Sequence, residues 1–493
     1  VQGIDRPRSR FPEIGKESGR RLTRPTSLAM SLAKTIFCAV FVFFVFLRLY
    51  ATPSKEKGSF DVVAYNVQNL FDTDGISLYD DYKPDFYGET ELSNKLKVIC
   101  QVLRKIGGPT GPSVVLLQEI EVDRTPEGHP SATQRLISSL RKEGLGPYHY
   151  RLGYDPDSPP EKWPAVHCLT LSKFPIVKSR LHPIQMARPI LETTIDVAGA
   201  SFTLFNNHWK SGASSPEMEK HRLQNATTLR KRINALVASN PDGDFLVGGD
   251  LNSHYNQSTV YASSMNKTGI NGILGSIGKE HQPETKGAEL YNLWHEIPPQ
   301  ERGSDAWRGK WGTLMHILLP PCLYDDKGIS YLNDSFKVAK FPELNQIAET
   351  GTPRKWSNEL DGFGASDHFP LVARFSNQGQ KPQKGKGFEE VETSLRKVDF
   401  SLAIKRAIIW KPSSLDPKNY GRTFRFSGVI SRNKPITLQA KGHQLGLYSF
   451  DPKTRGVLFS LEKGSTVSGF GRLSRYRGQW QFILEDTGWL LEI

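Results

Sequence analysis

The feature that most constrains the fold is an alternation of short apolar runs with segments of helical periodicity. Apolar runs rich in β-branched and aromatic residues, which predict strands, span residues 60–67, 113–118, 168–172, 201–206, 244–248, 313–319 and 369–375. Apolar residues recur at helical spacing over residues 92–106, 133–143 and 216–239. Strands interleaved with helices, with hairpin-like spacing late in the chain, predict an α/β body with mixed sheets.

Polar and charged side chains lie at the ends of five of these strands. They are Asn66 in VAYNVQNLFD, Glu119 in VVLLQE, His208 in LFNNHWKSG, Asp250 and Asn252 in VGGDLNS, and Asp367 and His368 in GASDHFP. Each one alone has an ordinary structural explanation, such as a turn-forming asparagine or a hydrogen-bonded histidine. Loops at strand ends can converge on one point because the sheet beneath them is rigid. Together the segments predict a single functional site.

These residue types suit the hydrolysis of a phosphodiester. A hard divalent cation with oxygen ligands neutralises phosphate charge, and Glu119 can hold it while Asn66 contributes a neutral oxygen. An imidazole near its ordinary pKa can activate or orient the attacking water. Asp250 and Asn252, two residues apart on a loop, can face the same phosphate.

The order N…QE…H…GDLN…SDH resembles the endonuclease/exonuclease/phosphatase superfamily, which includes pancreatic-type deoxyribonucleases, AP endonucleases, sphingomyelinases and inositol-polyphosphate phosphatases. The resemblance covers residues 60–375, and NVQNLFD, NNHWKSG and GGDLNS are most similar to bacterial extracellular nucleases. It implies a four-layer α/β sandwich, in which two packed mixed sheets are flanked by helices.

The resemblance also implies roles for individual residues. The implied metal ligands are Asn66, Glu119 and Asp367, with Mg²⁺ as the ion and Mn²⁺ or Ca²⁺ as alternatives. The implied catalytic residues are His208, Asp250, Asn252, Asp367 and His368. The implied phosphate contacts are Lys210 and Asn252, and Arg222 is a further candidate, although an exposed helix charge is the favoured interpretation for Arg222.

Met315 in GTLMHILLP departs from the family pattern. In the family this strand carries an aspartate that hydrogen-bonds the final histidine and fixes its tautomer, and a thioether cannot replace that carboxylate. Another carboxylate, such as Asp361 in NELDGFG, could take over its role. Alternatively the enzyme is slower and relies on metal and electrostatics, or the domain is a binding descendant. The first two explanations together are favoured because every other motif position is intact.

The N-terminal residues predict export. Residues 1–29 are polar, Arg-rich and irregular, and we interpret them as an upstream extension without structure. Residues 30–51 begin with Met30 and contain an apolar stretch at 35–47, too short to span a bilayer and typical of a signal peptide or short anchor. We therefore expect a secreted, periplasmic or envelope protein, with membrane association through residues 35–47 if they are not cleaved.

The C-terminal part is basic. The chain carries a formal charge of +13, and from residue 391 onward 17 Lys and Arg residues stand against eight Asp and Glu residues. Residues 376–422 are predicted to form a linker and connecting segment. Residues 423–493 contain only short predicted strands and resemble a small all-β, OB-like domain, which favours a nucleic-acid partner; an all-β packing module without a ligand is the alternative. No protein partner is inferred.

The sequence thus predicts a metal-dependent nuclease acting on DNA or RNA. A sphingomyelinase-like enzyme acting on a lipid or small phosphate headgroup is an alternative, since Trp307 and Trp311 in DAWRGKWGT could face a membrane, stack on a substrate or fill a core. A phosphate-binding descendant with little turnover is the other. The thiols of Cys100 and Cys168 lie in apolar runs and are expected to be buried.

Overall fold

The computed structural model describes residues 58–125, 128–281, 287–357, 364, 366–379, 385, 387–388, 390–476 and 478–492. The predicted signal or anchor segment, residues 30–51, and Asp361 lie outside these residues. Among the described helices, none combines the length and apolar character needed to cross a membrane. Cys100, Cys168 and Cys322 are free and buried, which confirms the expectation for the first two.

Two seven-stranded sheets form the body of the protein. The first contains β1 (Ser59–Leu70), β2 (Val114–Glu121), β3 (His149–Leu152), β4 (Val166–Ser172), β14 (Ser330–Tyr331), β15 (Lys337–Val338) and β16 (Leu371–Ser376). The second contains β5 (Ile176–Ile184), β6 (Ala187–Val197), β7 (Ala200–His208), β8 (Phe245–Asp250), β9 (Ser276–Ile277), β10 (Leu290–Asn292) and β13 (Met315–Leu319). A separate hairpin joins β11 (Asp305–Trp307) to β12 (Lys310–Gly312). Every predicted strand of this region is present, and β1 pairs in parallel with β2 and antiparallel with β16.

The described α-helices are α1 (Glu89–Gly107), α2 (Ala132–Lys142), α3 (Pro216–Ser239), α4 (Gln257–Val260), α5 (Ser401–Lys405) and α6 (Pro452–Phe459). The first three confirm the helical periodicity of the sequence. Helix α3 begins where Ser215 accepts a hydrogen bond from the Met218 N–H, with Pro216 in its first turn, an arrangement that favours helix initiation.

The core lies on both faces of each sheet. Along β1, Val63 and Tyr65 pack in a cluster with residues of α1 and α2, whereas Val62 and Ala64 pack in a second cluster that contains residues of both sheets. A third cluster places residues of α3 against β7 and β8. Alternate residues of a strand project from opposite faces, so these continuous apolar strands are buried on both sides.

The C-terminal sheet contains β17 (Ile408–Ile409), β18 (Thr423–Asn433), β19 (Ile436–Ala440), β20 (His443–Tyr448), β21 (Thr466–Tyr476), β22 (Gln479–Ile483) and β23 (Leu490–Glu492). Strands β18, β19, β20, β22 and β21 are neighbours in that order, and β21 also pairs with β18. The sheet therefore closes on itself as a small barrel, with α6 between β20 and β21. The expectation of only short strands is wrong, since β18 and β21 have 11 residues each.

A segment that we call the strap (residues 390–399) connects the two parts and lies against the α/β body. The Glu392 carboxylate accepts hydrogen bonds from the Tyr255 hydroxyl and, at 3.0 Å, from the Arg302 guanidinium. Arg396 donates to the Arg302 carbonyl oxygen at 2.8 Å, and Val398 is buried in a small apolar cluster with Trp311. The strap is thus fixed by buried polar and apolar contacts rather than extended in solvent.

Candidate active site

Four strand ends from the two sheets bring the central residues together. Asn66 lies on β1 beside the end of β2, and Glu119 lies on β2. His208 ends β7 and Asp250 ends β8, and these two residues are paired in parallel register. The sheets share one core, so side chains at these ends meet across the gap between them.

The Glu119 backbone lies in a conformation that few side chains adopt. Its φ is 68°, and the pairing of β2 with both neighbouring strands shifts register beside it. Such a bulge redirects a side chain, and positive φ in a residue other than glycine is typically confined to functional or turn positions. The carboxylate accepts a hydrogen bond from the Asn69 N–H at 2.9 Å. Burial, followed by repulsion from Asp367, raises the pKa of Glu119.

Asn66 holds the two carboxylates of the site next to each other. Its amide nitrogen donates to Glu119 Oε1 at 3.0 Å and to Asp250 Oδ2 at 2.9 Å, while its amide oxygen accepts from the Gln68 N–H at 2.9 Å. Asn66 is fully buried. In this arrangement it positions Glu119 and Asp250, and its role as a metal ligand stays a prediction.

Glu119, His208 and Asp250 form a group that could hold a metal ion. One ligand atom from each residue lies within 4.8 Å of the others, and His208 Nε2 is 3.4 Å from Glu119 Oε1. In the described part of the chain no Lys or Arg forms an ion pair with either carboxylate, so a cation would neutralise a concentrated negative charge. Burial, with the charges of Arg188 and His368, holds the pKa of His208 well below its usual range, which favours the neutral imidazole that a metal needs.

The GGDLN loop fixes Asp250 and Asn252. Gly249 has a φ of 119°, and a Cβ there would lie 2.2 Å from the Asn207 carbonyl oxygen, so only glycine fits. Asp250 Oδ1 accepts from the Asn252 N–H at 2.8 Å, and the Asn252 amide donates to the Trp209 carbonyl oxygen at 3.1 Å. The loop therefore presents Asp250 beside the end of β7.

The SDH segment closes the site from the first sheet. The Ser366 hydroxyl donates to the Asn66 carbonyl oxygen at 2.6 Å and accepts from the His368 N–H at 3.0 Å. His368 Nε2 lies 3.8 Å from Asp250 Oδ2 and 3.6 Å from Asp367 Oδ1. Asp367 has a half-exposed carboxylate, and His368 is buried. The structure thus brings His368 to the group of Glu119, His208 and Asp250, with Asp367 at its edge.

Asp305 lies near His368 and provides a carboxylate there that Met315 cannot provide. Met315 pairs with Asp250 across β13 and β8, and its thioether is buried in the core between the sheets. Asp305, at the base of the β11–β12 hairpin, forms a β-bridge with His368 and is itself buried. Burial lowers the pKa of His368, but Asp367, Asp250, Asp305 and Glu119 outweigh it and raise that pKa to about 9. Asp305 therefore supplies a carboxylate beside His368 at a position other than 315.

Sequence reasoning missed both Asp305 and Arg188. Arg188 donates to the carbonyl oxygens of His208 at 3.2 Å and Trp209 at 2.9 Å, and its charge acts on Glu119 and His208. Its segment MARPIL carries no motif. Asp305 had one usable signal, because DAWRGKWGT contains the dipeptide Arg308-Gly309, which occupies the two-residue turn of the β11–β12 hairpin in the structure.

Lys210 and Arg222 differ in their surroundings. Lys210 is half-buried beside the site. Arg222 is fully buried, so the expectation of an exposed helix charge is wrong. Its guanidinium pairs with Glu219 at 2.6 Å and donates to the carbonyl oxygens of Lys210, Gly212 and Ala213 at 3.0–3.2 Å. Arg222 therefore stabilises the loop after β7 by hydrogen bonds to its backbone carbonyl groups.

Comparison with known proteins gives the family. Residues 61–377 match the model described as Endonuclease/Exonuclease/phosphatase family. Truncated TDP2 from Caenorhabditis elegans is 13% identical with a TM-score of 0.40, over 66% of this chain and 100% of that truncated one. TDP2 from D. rerio, complexed with single strand DNA product, is 15% identical with a TM-score of 0.37, over 64% and 99%. The human Nocturnin catalytic domain with bound sulfate anion is 16% identical with a TM-score of 0.37, over 65% and 94%. No curated protein sequence matches. The family match spans most of the chain and confirms the resemblance seen in the motifs, so this chain belongs to the endonuclease/exonuclease/phosphatase family.

Proposed function

We propose that this chain is a divalent-metal-dependent phosphodiesterase that hydrolyses nucleic acid. Members of the family hydrolyse phosphodiester bonds, and the observation that supports this activity here is one cluster at four strand ends. Ligand atoms of Glu119, His208 and Asp250 lie within 4.8 Å of one another, and His368 faces the same carboxylates.

The donor set fits Mg²⁺, with Mn²⁺ as the alternative that an imidazole ligand favours. Glu119, Asp250 and His208 would hold the ion, with Asn66 and Asp367 as further predicted ligands. When bound, the ion supplies Lewis-acid stabilisation of the phosphate charge. This role fits a site in which the buried carboxylate of Asp250 and the partly buried one of Glu119 have no Lys or Arg ion-pair partner among the described residues.

The chain's own residues supply the remaining chemistry. Asn66 keeps Glu119 and Asp250 in one geometry. His368, surrounded by carboxylates, places a positive charge beside the position of the phosphate, and such preorganised charges stabilise the transition state. The proposed phosphate contacts are Lys210 and Asn252, together with Arg188, whose charge acts on Glu119 and His208.

The fold supports a polymeric substrate. We propose that the two sheets pack as the inner layers of a four-layer α/β sandwich, since one cluster contains residues of both. The C-terminal strand order, with β21 closing on β18 and a helix between β20 and β21, supports an OB-like barrel. Barrels of this type commonly hold nucleic acid, and the basic balance of this region suits a polyanion.

We further propose that the protein acts outside the cytoplasm, on the basis of residues 30–51. N-terminal sequencing of the protein recovered from the medium or envelope tests this location. A chain that begins near residue 52 supports export with cleavage, and protein found only in the cytoplasm contradicts it.

Hydrolysis with Mg²⁺ and then with EDTA tests the activity. Single-stranded DNA, duplex DNA, RNA, sphingomyelin vesicles and bis-p-nitrophenyl phosphate would be compared with wild type, Glu119→Gln and His368→Ala, and with Glu161→Gln as an exposed control. We expect metal-dependent cutting of nucleic acid that both site variants lose and the control keeps. Activity on sphingomyelin alone would make the protein a lipid phosphodiesterase, and no activity on any substrate would favour a binding descendant.

A further inference from the structure

The β11–β12 hairpin carries a second functional feature next to the site. Asp305 at its base bridges His368, and Trp307 follows two residues later on the same strand. Residues two apart project from the same face and lie about 7 Å apart along the strand. Trp307 therefore projects from the same face of the hairpin as Asp305, which is bridged to His368. Its side chain is 66% exposed, unlike Trp311, which is buried.

The tip of this hairpin holds an arginine in a conformation that arginine rarely adopts. Arg308 and Gly309 have φ values of 50° and 73°, which is the two-residue turn that normally favours Asn-Gly or Asp-Gly. The Arg308 Cζ lies 5.5 Å from the centre of the Trp307 ring and 5.6 Å from the centre of the Phe450 ring. The guanidinium thus lies near one aromatic ring of the α/β body and one of the barrel, and the two rings are also neighbours of each other.

The aromatic side chains continue onto the barrel. The ring centres of Trp307 and Phe450 are 6.4 Å apart, and those of Phe450 and Tyr448 are 5.2 Å apart. Arg455 of α6 donates to the Tyr448 hydroxyl at 3.2 Å and lies over its ring. We call Trp307, Arg308, Phe450, Tyr448 and Arg455 the aromatic–arginine run. It extends from the catalytic hairpin to the end of β20.

The charges around this run suit a polyanion. Exposed basic residues near it are Lys310, Lys397 and Lys453, and the bridge between Lys310 and Lys397 fixes the first two side by side. The nearby carboxylate of Asp451 caps α6 through the Thr454 N–H and hydroxyl. Aromatic faces accompanied by guanidinium groups and lysines are the features with which proteins bind single strands, because bases stack on rings and phosphates pair with cations.

We propose that the aromatic–arginine run binds single-stranded nucleic acid and leads it from the barrel to the catalytic centre. This inference rests on the proposed function for its biological purpose, but its binding chemistry is independent of turnover. A single strand is the form that fits, because its unpaired bases can stack on Trp307, whereas the bases of a duplex are already stacked on one another. The proposal adds a specific surface and a strand preference to the nuclease activity.

Binding of a labelled oligothymidylate to the whole chain in EDTA tests the proposal without turnover. Fluorescence anisotropy would compare the single strand with a duplex of equal length for wild type, Trp307→Ala, Trp307→Phe and Arg308→Ala. Phe459→Ala is the control, since Phe459 is exposed on the same module and lies outside the run. We expect Trp307→Ala to weaken binding of the single strand about tenfold or more. We expect Trp307→Phe to restore most of the affinity, and Arg308→Ala to flatten the salt dependence.

Several outcomes would overturn the proposal. These are wild-type affinity in Trp307→Ala, equal losses in Trp307→Ala and Phe459→Ala, or a duplex that binds as tightly as the single strand and responds equally to the substitution. Thermal melting shows whether Trp307→Ala is folded, and the Trp307→Phe variant decides the question if it is not. Wild-type protein that binds the single strand but hydrolyses no phosphodiester in Mg²⁺ would refute the proposed function and leave this binding surface in place.

Discussion

Replacing Asp305 by asparagine removes one negative charge from beside His368 and leaves the local hydrogen bonds in place. Asp305 Oδ1 accepts from the Ser304 hydroxyl at 2.9 Å and from the Leu314 N–H at 3.1 Å. The amide oxygen of asparagine can accept both, so the hairpin should keep its conformation. The variant therefore isolates the electrostatic contribution of the carboxylate.

The size of the effect follows from the β-bridge between Asp305 and His368. Residues that face each other in an antiparallel bridge have Cβ atoms roughly 5 Å apart. Opposite charges at about that distance, with an effective dielectric constant of about 20, attract by about 3 kcal/mol. If the imidazolium is stabilised by that amount in the transition state, kcat should fall about 100-fold in Asp305→Asn, with a smaller change in KM.

Steady-state hydrolysis of bis-p-nitrophenyl phosphate in Mg²⁺ measures this loss. A second substitution, Met315→Asp, should recover part of it, because position 315 faces Asp250 across β13 and β8 and would return a carboxylate to the site. Asp326→Asn, which is exposed on the loop after β13, serves as the control. A kcat of Asp305→Asn within about threefold of wild type would refute the reasoning, as would a loss explained by a lowered melting temperature.

Three further predictions concern the metal, a buried ion pair and pH. Mg²⁺ at about 100 times its dissociation constant should raise the free energy of unfolding by about 2.7 kcal/mol, and Glu119→Gln should abolish this gain in urea titrations; an undiminished gain would place the ion elsewhere. Arg222→Met should lower the free energy of unfolding by about 3–5 kcal/mol, because Glu219 then keeps a buried charge without a partner. Adding Glu219→Gln should recover part of this stability. A loss below about 1 kcal/mol in Arg222→Met would contradict the argument. Although burial opposes ionisation, hydrogen bonds from Arg232 and His182 lower the pKa of Glu192 to about 2, below the roughly 4.3 of the unfolded chain. The contribution of this carboxylate is therefore full above about pH 4.3 and lost as the pH falls toward 2, so Glu192→Gln should destabilise by about 3 kcal/mol at pH 7 and much less at pH 3; a cost independent of pH would contradict it.

The strands, the long helices and the convergence of the motif residues could be predicted from the sequence. Continuous apolar runs such as those of β1 and β2 identify buried strands by composition alone, and polar residues at strand ends meet for geometric reasons. The hairpin of β5 and β6 escaped prediction because no residue of its first strand is fully buried and the consecutive polar residues Lys178, Ser179 and Arg180 interrupt the apolar pattern. Its apolar signal is therefore weak.

The parts that could not be predicted depend on contacts between distant segments. Asp305 and His368 are separated by many residues, and only the bridge between them shows that the carboxylate absent at Met315 is present nearby. The position of Arg222 in the helical pattern predicts an exposed side chain, but its guanidinium is buried because it donates hydrogen bonds to three carbonyl oxygens of the preceding loop. The polarity of a residue does not reveal such partners, because they come from the path of a loop.

The strap belongs to the folded α/β body although it lies beyond the end of the family match. The family match ends at residue 377, yet Arg302, which is buried, has its carboxylate partner in Glu392 of the strap. A protein shortened at residue 377 would leave that guanidinium without its anion and expose the apolar surface around Trp311 that Val398 covers. Residues 57–493 also form one compact unit. We therefore expect the barrel and the α/β body to melt in one calorimetric transition, so the barrel could not be exchanged for another module without loss of stability in the α/β body.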